Sequence, residues 1–234
     1  MYEKASSYSN HIQRKKIIKL PRMNADYLNS AKQRFLYYKQ LGDKTMAQLN
    51  DEQLFWQYND ASNSIAIMVK HLWGNMMSRW TDFLTTDGEK DFRKRDEEFE
   101  LRVGPSLQGV DTANAEGVDN DAEGVNEHSR AVITEKWEQG WACLFTALDS
   151  INEDNFDTTI YIRNQGHSIL EAVNRQMMHY AYHVGQIVYL GRMMKGEDWQ
   201  SLSIPKGNSK AYNAEKFSQE KGKRHFTDEY LGKS

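Results

Sequence analysis

At 234 residues, with 39% hydrophobic and 27% charged, the chain has the make-up of an ordinary globular protein and argues for one core plus tails rather than two full domains. A net charge of -3 lacks the basic excess that grips a phosphate backbone, so nucleic acid is not expected as a partner. The single cysteine, Cys143, excludes an intramolecular disulfide framework and any CxxC metal or redox motif, and it fits a reducing compartment.

The opening MYEKASSYSNHIQRKKIIKL is basic, lacks a secretory hydrophobic region, and reads as an N-terminal extension over 1–22 rather than a transit peptide. No window reaches the roughly 18 apolar residues of a spanning helix, so no membrane partner and a cytoplasmic location are expected. From about Asn24 to Gln48, Leu28, Ala31, Phe35, Tyr38 and Leu41 recur at the three-to-four spacing of a helix with one buried face. After a polar stretch, Asn63 or Ser64 can cap a second helical run reaching Leu84, with Ile65, Val69, Leu72, Met76, Trp80 and Phe83 as its stripe.

Between Asp87 and Arg102 charges of both signs alternate, as on a solvated helix or loop. From Val103 to Ser129 no Lys or Arg occurs, and Gly109-Val110-Asp111, Gly117-Val118-Asp119 and Gly124-Val125-Asn126 form an imperfect repeat too small for a solenoid unit. This predicts a flexible acidic loop over 103–129. A third helix runs from Arg130 to Ile151 on Ile133, Trp137, Trp141, Leu144 and Leu148. Thr158 to Ile162 has the alternating look of a short strand, closed by a turn at Gln165-Gly166. The longest helix follows, Ser168 to Lys195, with Gly196 as its stop. Beyond it, Trp199, Leu202, Ile204 and Phe217 offer apolar anchors, residues 218–234 read as a tail, and the final ten residues are expected to fray.

The sharpest local feature is His179-Tyr180-Ala181-Tyr182-His183, two imidazoles one helical turn apart and able to reach a single ion. Core or boundary histidines satisfied by neighbouring helices would have the same spacing. Tyr180 stands where a zinc protease carries its general-base Glu, so the HExxH arrangement is absent. A third ligand should come from another helix, and His71, beside the small Gly74, Asn75 and Ser78, is the candidate. On a helical wheel His71 lies opposite the apolar stripe, where a side chain reads as exposed, although Ile67 and Met68 share that side. His11 and His225 fall in tails, His128 borders the acidic loop and His167 stands just before the last helix, so these four read as non-ligands. Asp119 begins like an EF-hand loop, but its twelfth position is Arg130 where a bidentate Glu is needed. No phosphate loop, GxSxG elbow or basic-aromatic stretch is present.

The blocks VKHLWGNMMSRWTDFLTTDGEKDFRKRDEEFE at 69–100, EKWEQGWACLFTALDSI at 135–151 and IYIRNQGHSILEAVNRQMMHYAYHVGQIVYLGRMMKGEDWQSLSIPKG at 160–207 resemble the DinB-like superfamily, in its uncharacterised bacillus-type branch. HVGQI at 183–187 is similar to its recurring His-x-Gly-Gln. The resemblance spans most of 23–217 and is poor in the loop at 103–129. It implies an all-α fold, a four-helix bundle, often a homodimer, holding zinc, nickel or a similar divalent ion on one histidine of the second helix and two of the last. Residue by residue these are His71, His179 and His183. It also implies that this side of the second helix faces a pocket.

Characterised relatives include thiol-dependent transferases and isomerases using bacillithiol, mycothiol or glutathione. The resemblance therefore implies a metal- and thiol-dependent transferase acting on small electrophiles, with a low-molecular-weight thiol as co-substrate and Arg175 or Gln186 orienting it. The alternative is a non-catalytic metal-binding or interaction protein in which the ion stabilises the bundle or a dimer, with Gln186 bridging helices and Arg175 in a surface pair. Trp73 and Tyr182 are aromatic candidates for a pocket wall, or simply for helix packing.

Overall fold

The computed structural model of the chain describes residues 22–101 and 127–232. The acidic stretch and its small repeat fall largely outside these residues, as does His11. Helix α1, Arg22–Met46, buries Leu28, Ala31 and Phe35, the face its periodicity predicts. The polar stretch after it holds an unpredicted helix, α2 at Asp51–Phe55, started by a capping box: Asn50 Oδ1 accepts from the Gln53 N–H, and the Gln53 side chain returns the bond.

Helix α3, Ile65–Trp80, is capped by Ser64, whose Oγ accepts the Ile67 N–H at 3.1 Å. The spacing predicts that this helix continues to Leu84. It stops at Trp80 because Thr81 is extended and Asp82 takes a left-handed φ of 47°, its carbonyl then accepting the N–H groups of Thr85 and Thr86. Helix α4, Arg130–Asp149, buries Ile133, Trp137, Trp141, Leu144 and Leu148.

A two-stranded antiparallel hairpin, β1 at Thr159–Ile162 and β2 at Gln165–Ser168, leads into α5, Ile169–Lys195. The expected turn at Gln165-Gly166 is in fact the start of β2, and the reversal is made by Arg163 and Asn164, with φ of 55° and 62°. Helix α5 begins under a Ser168 cap and ends at Gly196, whose φ of 54° is the left-handed geometry that stops a helix. A last helix, α6 at Ser209–Ser218, buries no side chain and was not marked by periodicity.

The four long helices meet in pairs: α3 on α4, α4 on α1, α1 on α5, and α5 on α3. Their shared centre is aromatic. Phe35 of α1, Trp141 of α4 and Tyr180 of α5 lie 5.7 to 6.4 Å apart between ring centroids, and each is fully buried. The buried Tyr180 hydroxyl is satisfied twice, donating to Asn75 Oδ1 and accepting from Trp80 Nε1, each at 3.0 Å.

Residues 225–231, part of the stretch expected to fray, pack back on α1. Thr227 is wholly buried, His225 bonds Ser30 at 2.8 Å, and Phe226 and Tyr230 pack on Tyr37. Among the described residues no helix is long and apolar enough to cross a membrane.

Candidate metal centre

Two helices bring the three candidate histidines together. His71 stands in the middle of α3, and His179 and His183 stand one turn apart on α5. Ring centroids are separated by 5.2 Å for His71 and His179, 4.9 Å for His71 and His183, and 4.8 Å for His179 and His183. Each ring offers one nitrogen to a group whose atoms all lie within 4.8 Å of one another, and among the described residues this is the one such cluster of metal-ligating side chains.

The wheel position of His71 is misleading because α3 is covered on nearly all sides. α4, α5 and the 3-10 turn at Asp96–Phe99 all pack on it, and His71 is only 6% exposed. That turn delivers two residues to the His71 ring. Phe99 stacks on it with centroids 5.0 Å apart, and Glu98 Oε2 accepts from Nδ1–H at 2.9 Å. On α5, His183 donates its own Nδ1–H to Gln186 Oε1 at 2.8 Å.

These two bonds decide which nitrogens are bare. A neutral imidazole has one N–H and one lone pair, so engaging Nδ1–H at His71 and at His183 leaves Nε2 of each as the free donor atom. His71 Nε2 then faces His179 Nε2 at 3.2 Å, an approach that needs a shared proton or a cation between them. A tetrahedral ion with arms of about 2.0–2.1 Å separates its donors by roughly 3.3 Å, close to the span of this pair, and all three candidate donor atoms lie within 4.8 Å of one another. The donor set fits a divalent ion.

Electrostatics favour the neutral forms that bind metal. Burial, reinforced by His183, His71, Arg93 and Arg79, pushes His179 down to about 3. Burial and then His71 lower His183 to about 4, against the opposing bond to Gln186. Both rings are therefore uncharged at neutral pH.

Glu98 is held from both sides. Arg93 donates to it through Nε at 2.6 Å and Nη2 at 2.9 Å, a bidentate pair in which the arginine side chain is 1% exposed. Burial works to raise the Glu98 carboxyl, but the bonds from His71 and Arg93 and the charge of Arg93 outweigh it and leave it below the usual range. The carboxylate lies against Gly74, where an added Cβ would fall on Glu98 Oε1. The sequence places Arg93 and Glu98 in a run that looks solvated. The one available signal was Gly74, a glycine in mid-helix that costs about 1 kcal/mol against alanine and so needs a close neighbour.

The remaining expectations divide. Gln186 reaches His183, whereas Arg175 turns to His167 at 3.3 Å and stays exposed. Tyr182 sets its ring edge-on to His183 with centroids 5.0 Å apart, while Trp73 points its Nε1 to Gln139 and lies under Lys136, on the α4 side. His128 stacks on Phe55 and His225 bonds Ser30, so neither joins the cluster. Cys143 is half-buried beside Thr81, and burial raises its thiol above the ordinary value.

A family model described as "Protein of unknown function (DUF1572)" matches residues 22–117 and, in a second overlapping stretch, 106–208. No curated protein and no solved structure matches the chain.

Proposed function

We propose, from the premise that this chain belongs to the DUF1572 family of proteins of unknown function, that it binds a divalent metal ion through His71, His179 and His183. The observation that carries the reading is the convergence of three imidazoles, two of which already have Nδ1–H engaged and Nε2 bare. We read the four long helices as a DinB-like four-helix bundle, with one ligand from the second long helix and two from the last. Zinc and nickel are the ions best suited to such a set.

Three neutral ligands leave a bound ion its full charge and an open position, and the chemistry it supplies is Lewis acidity that lets a thiol or water ionise. The chain's own residues do the positioning. Gln186 holds the His183 ring by its Nδ1–H, Glu98 does the same for His71, and Phe99 covers one face of His71. On this basis the proposed activity is transfer of a low-molecular-weight thiol to a small electrophile.

One observation favours the rival, a metal-binding or interaction protein without turnover, whose ion would stabilise the bundle or a homodimer. Among the described residues, the carboxylate that bonds one of the three rings, Glu98, is already paired with Arg93, and Gln186 offers His183 only an amide.

Elemental mass spectrometry on untagged protein tests the site. Near-stoichiometric metal in wild type, lost in both His179→Ala and His183→Ala, is the expected result; no metal in wild type even after reconstitution sinks it. Cobalt-substituted protein then separates the two functions. A spectrum that responds to an added thiol or azide means an open position, and an unresponsive one means a closed, non-catalytic site.

A further inference from the structure

We propose that Glu98 is the positioning residue of this centre: its carboxylate, clamped by Arg93 and seated over Gly74, fixes His71 in the Nδ1–H tautomer and so keeps Nε2 bare toward His179. The proposal rests on the metal reading above only for its consequence, tighter binding of the ion.

In its other tautomer His71 would aim an Nε2–H at His179, 3.2 Å away, and could not ligate. An ionised carboxylate only accepts, so at 2.9 Å from Nδ1 it selects the productive form. Burial makes the selection strong, since Glu98 is 4% exposed and little water competes for the ring.

The carboxylate is itself immobilised. Arg93 grips both of its oxygens, Gly74 one turn along α3 from His71 leaves the space it occupies, and the next residue, Phe99, stacks on the same imidazole. Ring plane, tautomer and acceptor are thus all set by one short segment, Arg93 to Phe99, which contributes no ligand. A buried Arg93–Glu98 ion pair that merely closed the loop would not need His71 as a third partner.

The test uses the full chain, metal-free and with nitrogen-15 in its histidine rings, near neutral pH. Wild type is expected to show His71 protonated at Nδ1 and bare at Nε2. Glu98→Ala should move the proton toward Nε2, and Glu98→Gln, whose amide oxygen can still accept, should restore the wild-type pattern. Zinc affinity measured by chelator competition should fall by about 10- to 100-fold in Glu98→Ala and by less in Glu98→Gln.

If Glu98→Ala keeps the Nδ1–H form, or binds zinc within twofold of wild type, Glu98 only closes the loop and the proposal is overturned. Should that variant not fold, Glu98→Leu, which fills the space without an acceptor, takes its place under the same criteria. A wild type that takes up no zinc defeats the three-histidine reading instead. In that case the ring signals still decide whether Glu98 sets the tautomer.

Discussion

His179 and His183 hold protons less readily in the folded chain than in the unfolded one, at about 3 and about 4 against an ordinary value of 6.5, chiefly because both are buried. Between those values the unfolded state binds protons that the native state does not. Stability of the metal-free protein is therefore expected to be complete above pH 6.5 and to fall as the pH drops toward 4. Urea midpoints measured across that range, in wild type and in a His179→Gln/His183→Gln variant, should diverge at the low end, the variant being flatter. Parallel curves would mean that neither ring is held neutral by the fold.

Gly74 poses a second question of the same size. Alanine at an open helical position gains about 1 kcal/mol over glycine, but here it would drive Glu98 off a buried ion pair whose disruption costs about 3–5 kcal/mol. Gly74→Ala is expected to lower stability by roughly 2 kcal/mol or more in chemical denaturation. A neutral or stabilising result would show that the carboxylate moves aside freely. That the three histidines come together was legible in the sequence, two from their spacing and the third, against its wheel position, from its small neighbours and the family resemblance. Glu98 was not, because its environment is made by residues up to 27 positions away, and a glutamate among alternating charges gives no local sign of burial.

At the level of elements, periodicity located each long helix, and the caps located their ends where a side chain or a glycine marks them, as at Ser64, Ser168 and Gly196. Where a distant partner decides, the sequence misled. Gly166 suggested the hairpin turn, yet Arg163 and Asn164 make it because their N–H groups both donate to the Asp87 carboxylate, at 2.8 Å each. Burial opposes ionisation of Asp87, but the backbone bonds from Asn164, Glu89 and Arg163 together overcome it, holding the carboxyl below its usual range. The caps are also where an element is most easily weakened. Ser64 is fully buried, so Ser64→Ala both removes the acceptor for the Ile67 N–H and leaves that donor without water. A loss of about 1–2 kcal/mol is expected from urea unfolding. A loss of only a few tenths would mean that α3 starts equally well without its cap.

Across the whole molecule, the helical class was readable because four strong apolar stripes require one another for burial. The path of the chain between them was less so. Polar composition in the C-terminal segment concealed its contacts with α1, which are made by Thr227, His225 and the rings of Phe226 and Tyr230 and not by an apolar stripe. The same holds for α3, whose two-sided burial cannot be inferred from a wheel that offers it one partner.

The enclosure of α3 sets how the molecule can open. Ile65 through Leu72 are all buried, and the helix touches α2, α4, α5 and the turn at Asp96–Phe99. Such a helix has no free edge from which to fray, so its amide protons should exchange with solvent only when the whole domain unfolds. The turn, by contrast, meets His71 through Glu98 and Phe99, while its own Asp96 and the preceding Lys94 are exposed. Hydrogen exchange followed by mass spectrometry is expected to find α3 the slowest peptide and 92–99 much faster. Breathing near His71 would then belong to the turn, and its frequency would set how quickly anything small enters or leaves.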